Sequence, residues 1–176
     1  MAADTQTNFG SLRSLTDNHR ALKIKKIGAA YVGTTGWGVY DNILDDFPEG
    51  TKLPPLTTRK SIFRFFMRLW KSLHERYSLV NDQCDDHTDS PFGDLDASFI
   101  IANALGIFHV SSDMSVTQFE KYYAVGSGAD FSLGALYVLY DEVPDAVTLA
   151  TRAVEAAIAL NNTCGGEIEV RRVRMR

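Results

Sequence analysis

The clearest periodic pattern in the chain runs through residues 58–75 and predicts a helix. Its apolar residues recur every three or four positions, at Ile62, Phe65, Phe66, Leu69 and Leu73. This spacing places them on one face of an α-helix, and Thr58 is a suitable N-terminal cap. Phe63, Met67 and Trp70 widen the apolar surface beyond that face. We therefore expect the helix to be covered on two sides, by a sheet and by a second helix or a neighbouring subunit.

Short segments that are apolar, or in which apolar and polar residues alternate, predict strands before and after this helix. These segments are residues 21–27, 29–33, 97–104, 106–111, 114–119, 122–125 and 167–173. A turn near Leu105 and Gly106 is expected to join the third and fourth of them into a hairpin. Alternation of this kind is typical of antiparallel sheets, in which one face of each strand packs on the core.

Three further helices complete the pattern. We expect them at residues 37–46, 129–142 and 145–161. Thr35 is a suitable cap for the first of them, and Pro144 lies at or near the first turn of the last, where helices tolerate proline. The side chains that the first helix buries are predicted to be Trp37, Tyr40 and Leu44.

The order of these elements predicts the architecture. Strands, two helices, strands, two helices and a strand follow one another along the chain. Each pair of helices needs an apolar face to cover, and two stacked sheets between two helix layers provide one face for each pair. We therefore predict an α+β fold, a four-layer αββα sandwich of two mainly antiparallel sheets. A chain of 176 residues has the size of one domain, so residues 1–176 are interpreted as a single domain.

Composition and charge exclude several classes of protein. The 18 basic and 22 acidic residues give a net charge of −4, whereas a general nucleic-acid binder needs a basic surface. No apolar run approaches the roughly 18 residues that span a membrane, and the first residues lack the pattern of a signal peptide. Two cysteines, Cys84 and Cys164, fit free thiols in a reducing compartment. We expect a cytoplasmic protein without nucleic-acid or membrane partners.

Several groups of chemically active side chains have a simple structural interpretation. Residues 84–89 include a cysteine, a histidine and three aspartates but lack the four convergent ligands of a zinc site, so a solvated acidic loop is favoured. His109 lies in an apolar strand and is expected to pack in the core. The alternative, a Cys164 thiol nucleophile with His109 as its base, would require the two side chains to lie together. Arginines near the C-terminus are expected on a solvated strand edge, where charge discourages unwanted pairing. They are Arg171, Arg172, Arg174 and Arg176.

Several segments resemble a known family in sequence and in order. They are residues 3–10, 23–27 and 31–36, then residues 124–136 with their Gly-Ser-Gly turn, and finally residues 164–170. Together they resemble proteasome-type subunits, most strongly the proteasome β subunit and the bacterial HslV-like peptidase. Members of that family are N-terminal-nucleophile hydrolases with an αββα sandwich. The resemblance therefore implies the same fold as the order of the elements.

The resemblance implies a threonine-type peptidase. In that family, the hydroxyl of an N-terminal threonine attacks a peptide carbonyl, and its own free amine, or a water held by it, takes the proton. The aspartate and the lysine beside the nucleophile match Asp4 and Lys23, and the serine beside the amine matches Ser127. The second aspartate of the family falls at Asn161 and the following serine at Cys164, and both are departures. Asn161 can form hydrogen bonds but carries no charge.

The same residues have simpler interpretations when each is taken alone. Asp4 is a suitable turn cap, Lys23 is typical of a solvated strand, and Ser127 is a suitable helix cap. Gly33, with Thr34 beside it, is assigned to substrate binding, because a glycine lets another chain approach the backbone closely. The resemblance implies no cofactor and no metal ion.

The position of the nucleophile is the largest departure from the family pattern. The family's threonine lies one full strand before its aspartate, whereas only three residues precede Asp4. We expect the natural coding sequence to begin upstream, with that strand and the threonine. The segment Gly33-Thr34-Thr35 resembles the site at which family propeptides are cut, but a cut there would remove Asp4 and Lys23. That alternative is therefore disfavoured.

The function that the resemblance implies is peptide-bond hydrolysis within a ring of identical subunits. The substrates would be polypeptides, which family members often receive from an ATP-driven unfoldase. The apolar width of the helix at 58–75 supports self-assembly. Two alternatives stay open. One is a catalytically silent structural subunit, which Asn161 favours, and the other is an N-terminal-nucleophile amidohydrolase with a small amide or a dedicated protein as its substrate.

Overall fold

A computed structural model of the protein describes residues 1–9, 12–13, 21–47, 52–76 and 95–174. The helices in these ranges are α1 (Val39–Asp46), α2 (Arg59–Glu75), α3 (Ala129–Leu139) and α4 (Ala146–Leu160). The strands are β1 (Ala2–Asp4), β2 (Asn8–Phe9), β3 (Leu12–Arg13), β4 (Ile24–Ile27), β5 (Ala30–Gly36), β6 (Ala97–Asn103), β7 (Gly106–Val110), β8 (Val116–Phe119) and β9 (Ile168–Val170). Strands and helix pairs alternate along the chain as predicted.

The larger sheet is an antiparallel meander with the strand order β4-β5-β6-β7-β8. In β6 and β7, Phe99 pairs with Val110 and Asn103 pairs with Gly106, which confirms the predicted hairpin. Alternate residues of the central strands are buried in one core cluster with the side chains of α1 and α2. One face of this sheet therefore packs on the first pair of helices.

Helix α2 forms much of that core, as its apolar period predicts. The buried side chains are Ile62, Phe65, Phe66, Leu69 and Leu73. The ring of Phe66 lies 4.7 Å from the ring of Phe99 in β6, so the helix packs directly on the sheet. Thr58 is the N-cap: its hydroxyl accepts from the Ser61 N–H, and the Ser61 hydroxyl accepts from the Thr58 N–H. This reciprocal capping satisfies two of the donors that a helix leaves open.

The smaller sheet pairs β1 with β9 and lies next to the second pair of helices. Ala2 pairs with Val170 and Asp4 pairs with Ile168. Helices α3 and α4 pack on each other, and α4 contacts both strands. The layers are thus α1 with α2, the five-stranded sheet, the β1–β9 sheet, and α3 with α4. This arrangement confirms the predicted α+β sandwich, to which β2 and β3 add a short separate hairpin.

The start of α1 differs from the sequence-based expectation. Trp37 is 70% exposed rather than buried, although Tyr40 and Leu44 are buried as predicted. Thr35 does not cap the helix, because it lies in β5 and its hydroxyl bonds to the neighbouring strand β6. The N-cap is Gly38, which provides no side-chain hydrogen bond. The chain therefore leaves the sheet later than the prediction assumed, and Trp37 remains outside the core.

The predicted strand at residues 122–125 is also wrong. Its two tyrosines make ring contacts, and the segment forms no ladder. The ring of Tyr123 stacks on that of Phe119 at 4.0 Å, and the ring of Tyr122 lies 5.2 Å from that of Tyr140. The segment therefore connects the five-stranded sheet to α3 through aromatic packing.

The surface of α2 that points away from the sheet retains apolar side chains. Phe63 is 45% exposed and Met67 is 37% exposed, so the described part of the chain covers only one side of the helix. Trp70 is half-buried, and its ring lies 4.1 Å from that of His74. Among the described residues, a membrane-spanning helix is absent.

Candidate active site

An ion pair that joins the two sheets lies at the centre of the predicted site. Lys23 Nζ lies 2.7 Å from Asp4 Oδ1. Asp4 is the last residue of β1 and Lys23 directly precedes β4, so each side chain is fixed by a different sheet. The Asp4 side chain is 14% exposed and the Lys23 side chain 26% exposed. The pair is therefore shielded from bulk water but still open to a reacting group.

The second carboxylate oxygen of Asp4 is held by the backbone. The Gly165 N–H donates to Oδ2 over 2.9 Å and the Gln6 N–H over 3.3 Å. The Thr5 N–H in turn donates to the Gly165 carbonyl over 3.2 Å. These bonds tie the end of β1 to the turn before β9 and leave Oδ1 directed at Lys23.

Ser127 belongs to a second polar cluster, with Asn161 and Thr163. Asn161 Nδ2 donates to the Ser127 carbonyl over 2.6 Å. The hydroxyl oxygens of Thr163 and Ser127 are 2.7 Å apart, and the Thr163 hydroxyl donates to Asn161 Oδ1 over 2.7 Å. Asn161 thus contacts Ser127 as a neutral hydrogen-bonding group. The sequence did not single out Thr163, although the polar run directly after α4 was its signal.

Close packing explains the glycines that flank Ser127. A Cβ at Gly128 would lie 2.7 Å from both Ala157 Cβ and Cys164 Sγ, which no real side chain permits. Gly126 has φ +98, a backbone conformation that favours glycine. The N-cap of α3 is Gly128 rather than Ser127, so the serine hydroxyl is free of a capping role. Cys164 Sγ lies 3.9 Å from Ser127 Oγ.

Gly33 and Thr34 lie inside the five-stranded sheet. Strand β5 pairs with β4 on one side and β6 on the other at these residues, which argues against a processing site there. A Cβ at Gly33 would lie 3.0 Å from Ile100 Cγ2 and 3.7 Å from Met1 Sδ. The glycine therefore allows another segment to approach β5 closely. The Thr34 hydroxyl donates to Asp41 Oδ1 over 2.7 Å.

A cavity of about 1150 Å³ brings most of these residues together. It lies between the five-stranded sheet and the α3–α4 layer, and apolar side chains of both layers form much of its wall. The polar part of the wall includes Asp4, Lys23, Gly33, Thr34, Ser127 and Cys164. Asn161 does not line it. The cavity thus places a fixed cation, hydroxyl groups and a strand that contains Gly33 around one large space. This arrangement could hold an extended polypeptide next to reactive groups.

His109 lies apart from this cavity. It lines a second, more open space of about 650 Å³, whereas Cys164 lines the first, so the two do not form a thiol–imidazole pair. The imidazole is half-buried and packs on the ring of Tyr123 at 4.8 Å, on the side of the sheet away from the core. Burial lowers the pKa of His109 below its ordinary value, and the negative charge of Asp113 acts in the opposite direction. The neutral form is therefore favoured.

The other candidate groups carry no site within the described part of the chain. No cluster of three or more metal-ligating side chains occurs there, and residues 84–89 lie outside the described ranges. Arg171 and Arg172 form ion pairs with Glu169 and Asp145, respectively. Arg174 is exposed, and Arg176 lies outside the described ranges. The tail is therefore not a uniform basic surface.

Comparison with solved structures finds a similar protein in Thiobacillus denitrificans. This chain is 32% identical to the BPH protein in the structure of Thiobacillus denitrificans BPH in complex with epoxomicin, with a TM-score of 0.84. The match covers 96% of this chain and 88% of that chain. HslV from Trypanosoma brucei is 19% identical with a TM-score of 0.66, over 98% of this chain and 91% of that chain. The latter likeness concerns the fold alone.

Comparison with curated proteins gives a consistent result. The chain is 26% identical over 175 residues to the proteasome subunit beta of Nanoarchaeum equitans, which covers 97% of this chain and 84% of that protein. No family model matches the chain. The similarity to the archaeal subunit spans both sheets and both helix pairs.

Proposed function

This chain belongs to the family of proteasome β subunits and HslV-like peptidases, and we propose that it is a threonine-type peptidase subunit acting on polypeptides. The nucleophile in this proposal is the hydroxyl of an N-terminal threonine, contributed by a strand that precedes Ala2. The observation that carries the proposal is the Lys23–Asp4 ion pair, held at 2.7 Å in the wall of a large, partly open cavity.

The cavity supports the presence of a further strand. Packed layers of a protein rarely leave a large space between them, yet a partly open cavity of about 1150 Å³ lies between the five-stranded sheet and the α3–α4 layer. Within the described residues, β1 has β9 as its strand neighbour on one side only, so its other edge is available for main-chain pairing. We propose that the preceding strand pairs with this edge, fills part of the cavity and brings its threonine next to Lys23.

Lys23 has an electrostatic role in this mechanism. A cation within about 4–6 Å of a hydroxyl or an amine lowers its pKa and favours loss of its proton. The Asp4 carboxylate holds the ammonium in place. The threonine Oγ attacks the peptide carbonyl, the free α-amine or a water bound to it takes the proton, and an acyl-enzyme forms that water then hydrolyses. Ser127 is proposed to hold the amine through its hydroxyl.

A catalytically silent subunit is the second candidate, and Asn161 favours it. The family's aspartate is replaced there by a neutral amide, which donates to the Ser127 carbonyl over 2.6 Å. An amide stabilises a protonated amine less than a carboxylate does, because hydrogen bonds between ionised partners are stronger. A silent subunit would retain the fold and the assembly without hydrolysis.

Labelling with a threonine-directed electrophile tests the proposal. The protein is produced from a coding sequence that includes the codons upstream of Met1, and its intact mass is measured before and after reaction. We expect one adduct per chain, on an N-terminal threonine. Preincubation with epoxomicin, the compound in the BPH structure, is expected to reduce labelling.

The controls separate the three candidate functions. Heat-unfolded protein should remain unlabelled, because the reactivity depends on the folded site. Folded protein without an adduct would contradict the peptidase and support the silent subunit. An adduct without hydrolysis of a diverse peptide library would instead support an amidohydrolase with a dedicated substrate.

We also propose that the subunit assembles with copies of itself into a cytoplasmic ring and receives substrates from an ATP-driven unfoldase. Exposed apolar side chains on two helices support self-association. Phe63 and Met67 of α2 are 45% and 37% exposed, and Tyr137 and Val138 of α3 are 79% and 64% exposed. A helix that is apolar on all sides is normally covered by protein, so these faces suit contacts between subunits.

Val138→Glu is expected to weaken the assembly. A carboxylate at this position would lose its hydration in an apolar contact, and we expect the dissociation constant to rise about tenfold or more. Light scattering over a dilution series measures the mass distribution. Arg152→Glu, which also introduces a carboxylate on a helix and changes the charge by two units, but at an exposed and already charged position of α4, is the control. An unchanged distribution in Val138→Glu would exclude this face from the contact.

A further inference from the structure

We propose that Glu169 is the positioning residue that holds Lys23 against Asp4. Glu169 is the central residue of β9, is 2% exposed, and pairs with Ala3, the neighbour of Asp4. Its carboxylate reaches the other sheet, where Oε2 accepts the N–H of Ile24 over 3.2 Å. Ile24 directly follows Lys23 in the chain. One buried side chain thus links β9, the ladder partner of the strand that carries Asp4, to the first residue of β4, next to Lys23.

The position of β4 explains why this link is needed. Strand β4 is an edge strand of the five-stranded sheet, with β5 as its neighbour. Ile24 pairs with Gly33 in register, but its N–H donates to Glu169 rather than to a carbonyl of β5. A buried N–H without an acceptor is costly. Glu169 therefore fixes the start of β4, and with it the backbone from which the Lys23 side chain extends.

The two oxygens of Glu169 have separate partners. Arg171 Nη2 lies 2.7 Å from Oε1, and this contact is an ion pair without hydrogen-bond geometry. Oε2 makes the directional bond, to the Ile24 N–H. A buried carboxylate is stable only when it is paired and hydrogen-bonded. Arg171 balances the charge of Glu169, and the hydrogen bond from Glu169 fixes the position of the Ile24 backbone. Glu169 itself is not proposed to touch the reacting atoms.

Two double variants that differ by one acceptor oxygen test the proposal. Both carry Arg171→Met, which removes the cation that a neutral residue at 169 would leave unpaired. Glu169→Gln then retains an oxygen that can accept the Ile24 N–H, whereas Glu169→Met, of similar length, does not. Native acetylation of Lys23 is measured by mass spectrometry as a ratio to that of Lys25. Lys25 lies two residues further along the chain, within β4, and pairs with Asp45 instead.

The expected results are opposite for the two variants. The Lys23-to-Lys25 ratio should stay at the wild-type value with glutamine and rise about fivefold with methionine, the upper end for release of a partly exposed ion pair. Equal ratios in the two variants would overturn the proposal. If Glu169 only filled space, methionine would serve as well as glutamine, so a difference between them is not expected of a packing role. The importance of Lys23 rests on the proposed function, but acetylation requires no hydrolysis. A subunit without peptidase activity would still show the difference between the two variants, whereas a wrong role for Glu169 would remove it.

A second measurement tests the proposal if the methionine variant unfolds. Unfolding would raise acetylation of Lys23 and Lys25 together. In that case, hydrogen exchange of the Ile24 amide in the wild-type protein tests whether Glu169 holds this amide. We expect that amide to exchange as slowly as the paired amide of Val32, and rapid exchange would overturn the proposal.

Discussion

Replacement of Lys23 by methionine is expected to lower the rate of peptide hydrolysis by about 100-fold or more in protein that carries its N-terminal threonine. Methionine keeps much of the apolar stem and removes the ammonium that lies 2.7 Å from Asp4. The nucleophile then loses the fixed positive charge that favours its deprotonation. Because Lys23 is not proposed to hold the substrate, kcat should fall while KM changes little. Steady-state kinetics with a fluorogenic peptide measure both constants.

The strand itself offers a matched control. Lys26→Met removes the same charge from an exposed position of β4, and the rate should stay within about twofold of wild type, as for ordinary surface substitutions. Asp4→Asn should reproduce most of the loss, because it leaves the ammonium without its anionic partner. A Lys23→Met enzyme with normal kcat would exclude the mechanism.

Replacement of Phe66 by alanine is expected to lower the free energy of unfolding by about 3–5 kcal/mol. Phe66 is 0% exposed, and its ring centroid lies 5.3 Å from that of Phe65 and 4.7 Å from that of Phe99. The substitution removes apolar contacts where α2 meets the five-stranded sheet and leaves a cavity there. A loss of this size is a large part of the total stability of a domain, about 5–15 kcal/mol. Urea denaturation followed by circular dichroism measures it.

Phe63→Ala is the control for this prediction. Phe63 lies three residues earlier on the same helix and is 45% exposed, so its removal creates no internal cavity. We expect a change below about 1 kcal/mol in dilute protein. Similar losses at both positions would mean that Phe66 does not mark the face of α2 that packs on the sheet.

Elements with a strong local period were predictable, because their pattern depends on near neighbours along the chain. The 58–75 helix and its Thr58 cap, and the hairpin of β6 and β7, follow directly from spacing and turn residues. Residues 122–125 show the limit of this approach. Their short apolar run matches a strand equally well, and the ring contact of Tyr122 with the distant Tyr140 is absent from any local pattern.

The candidate site was predictable only in part. Asp4, Lys23 and Ser127 were assigned by resemblance, since each alone has a simple structural interpretation. The meeting of Asp4 with Lys23 depends on the stacking of two sheets, which no local pattern contains. Glu169 was missed for a physical reason: in β9 the charged residue is buried while its apolar neighbours are half-exposed. Alternation alone would predict the opposite.

The N-terminal sequence and intact mass of the protein purified from its own source test the central claim most directly. We expect a mature N-terminal threonine, one strand before Asp4, and a mass above that of the 176-residue chain. A native chain that begins at Met1 or Ala2 would contradict the account, because no N-terminal threonine would be present to attack a peptide bond. The silent structural subunit would then be the supported function.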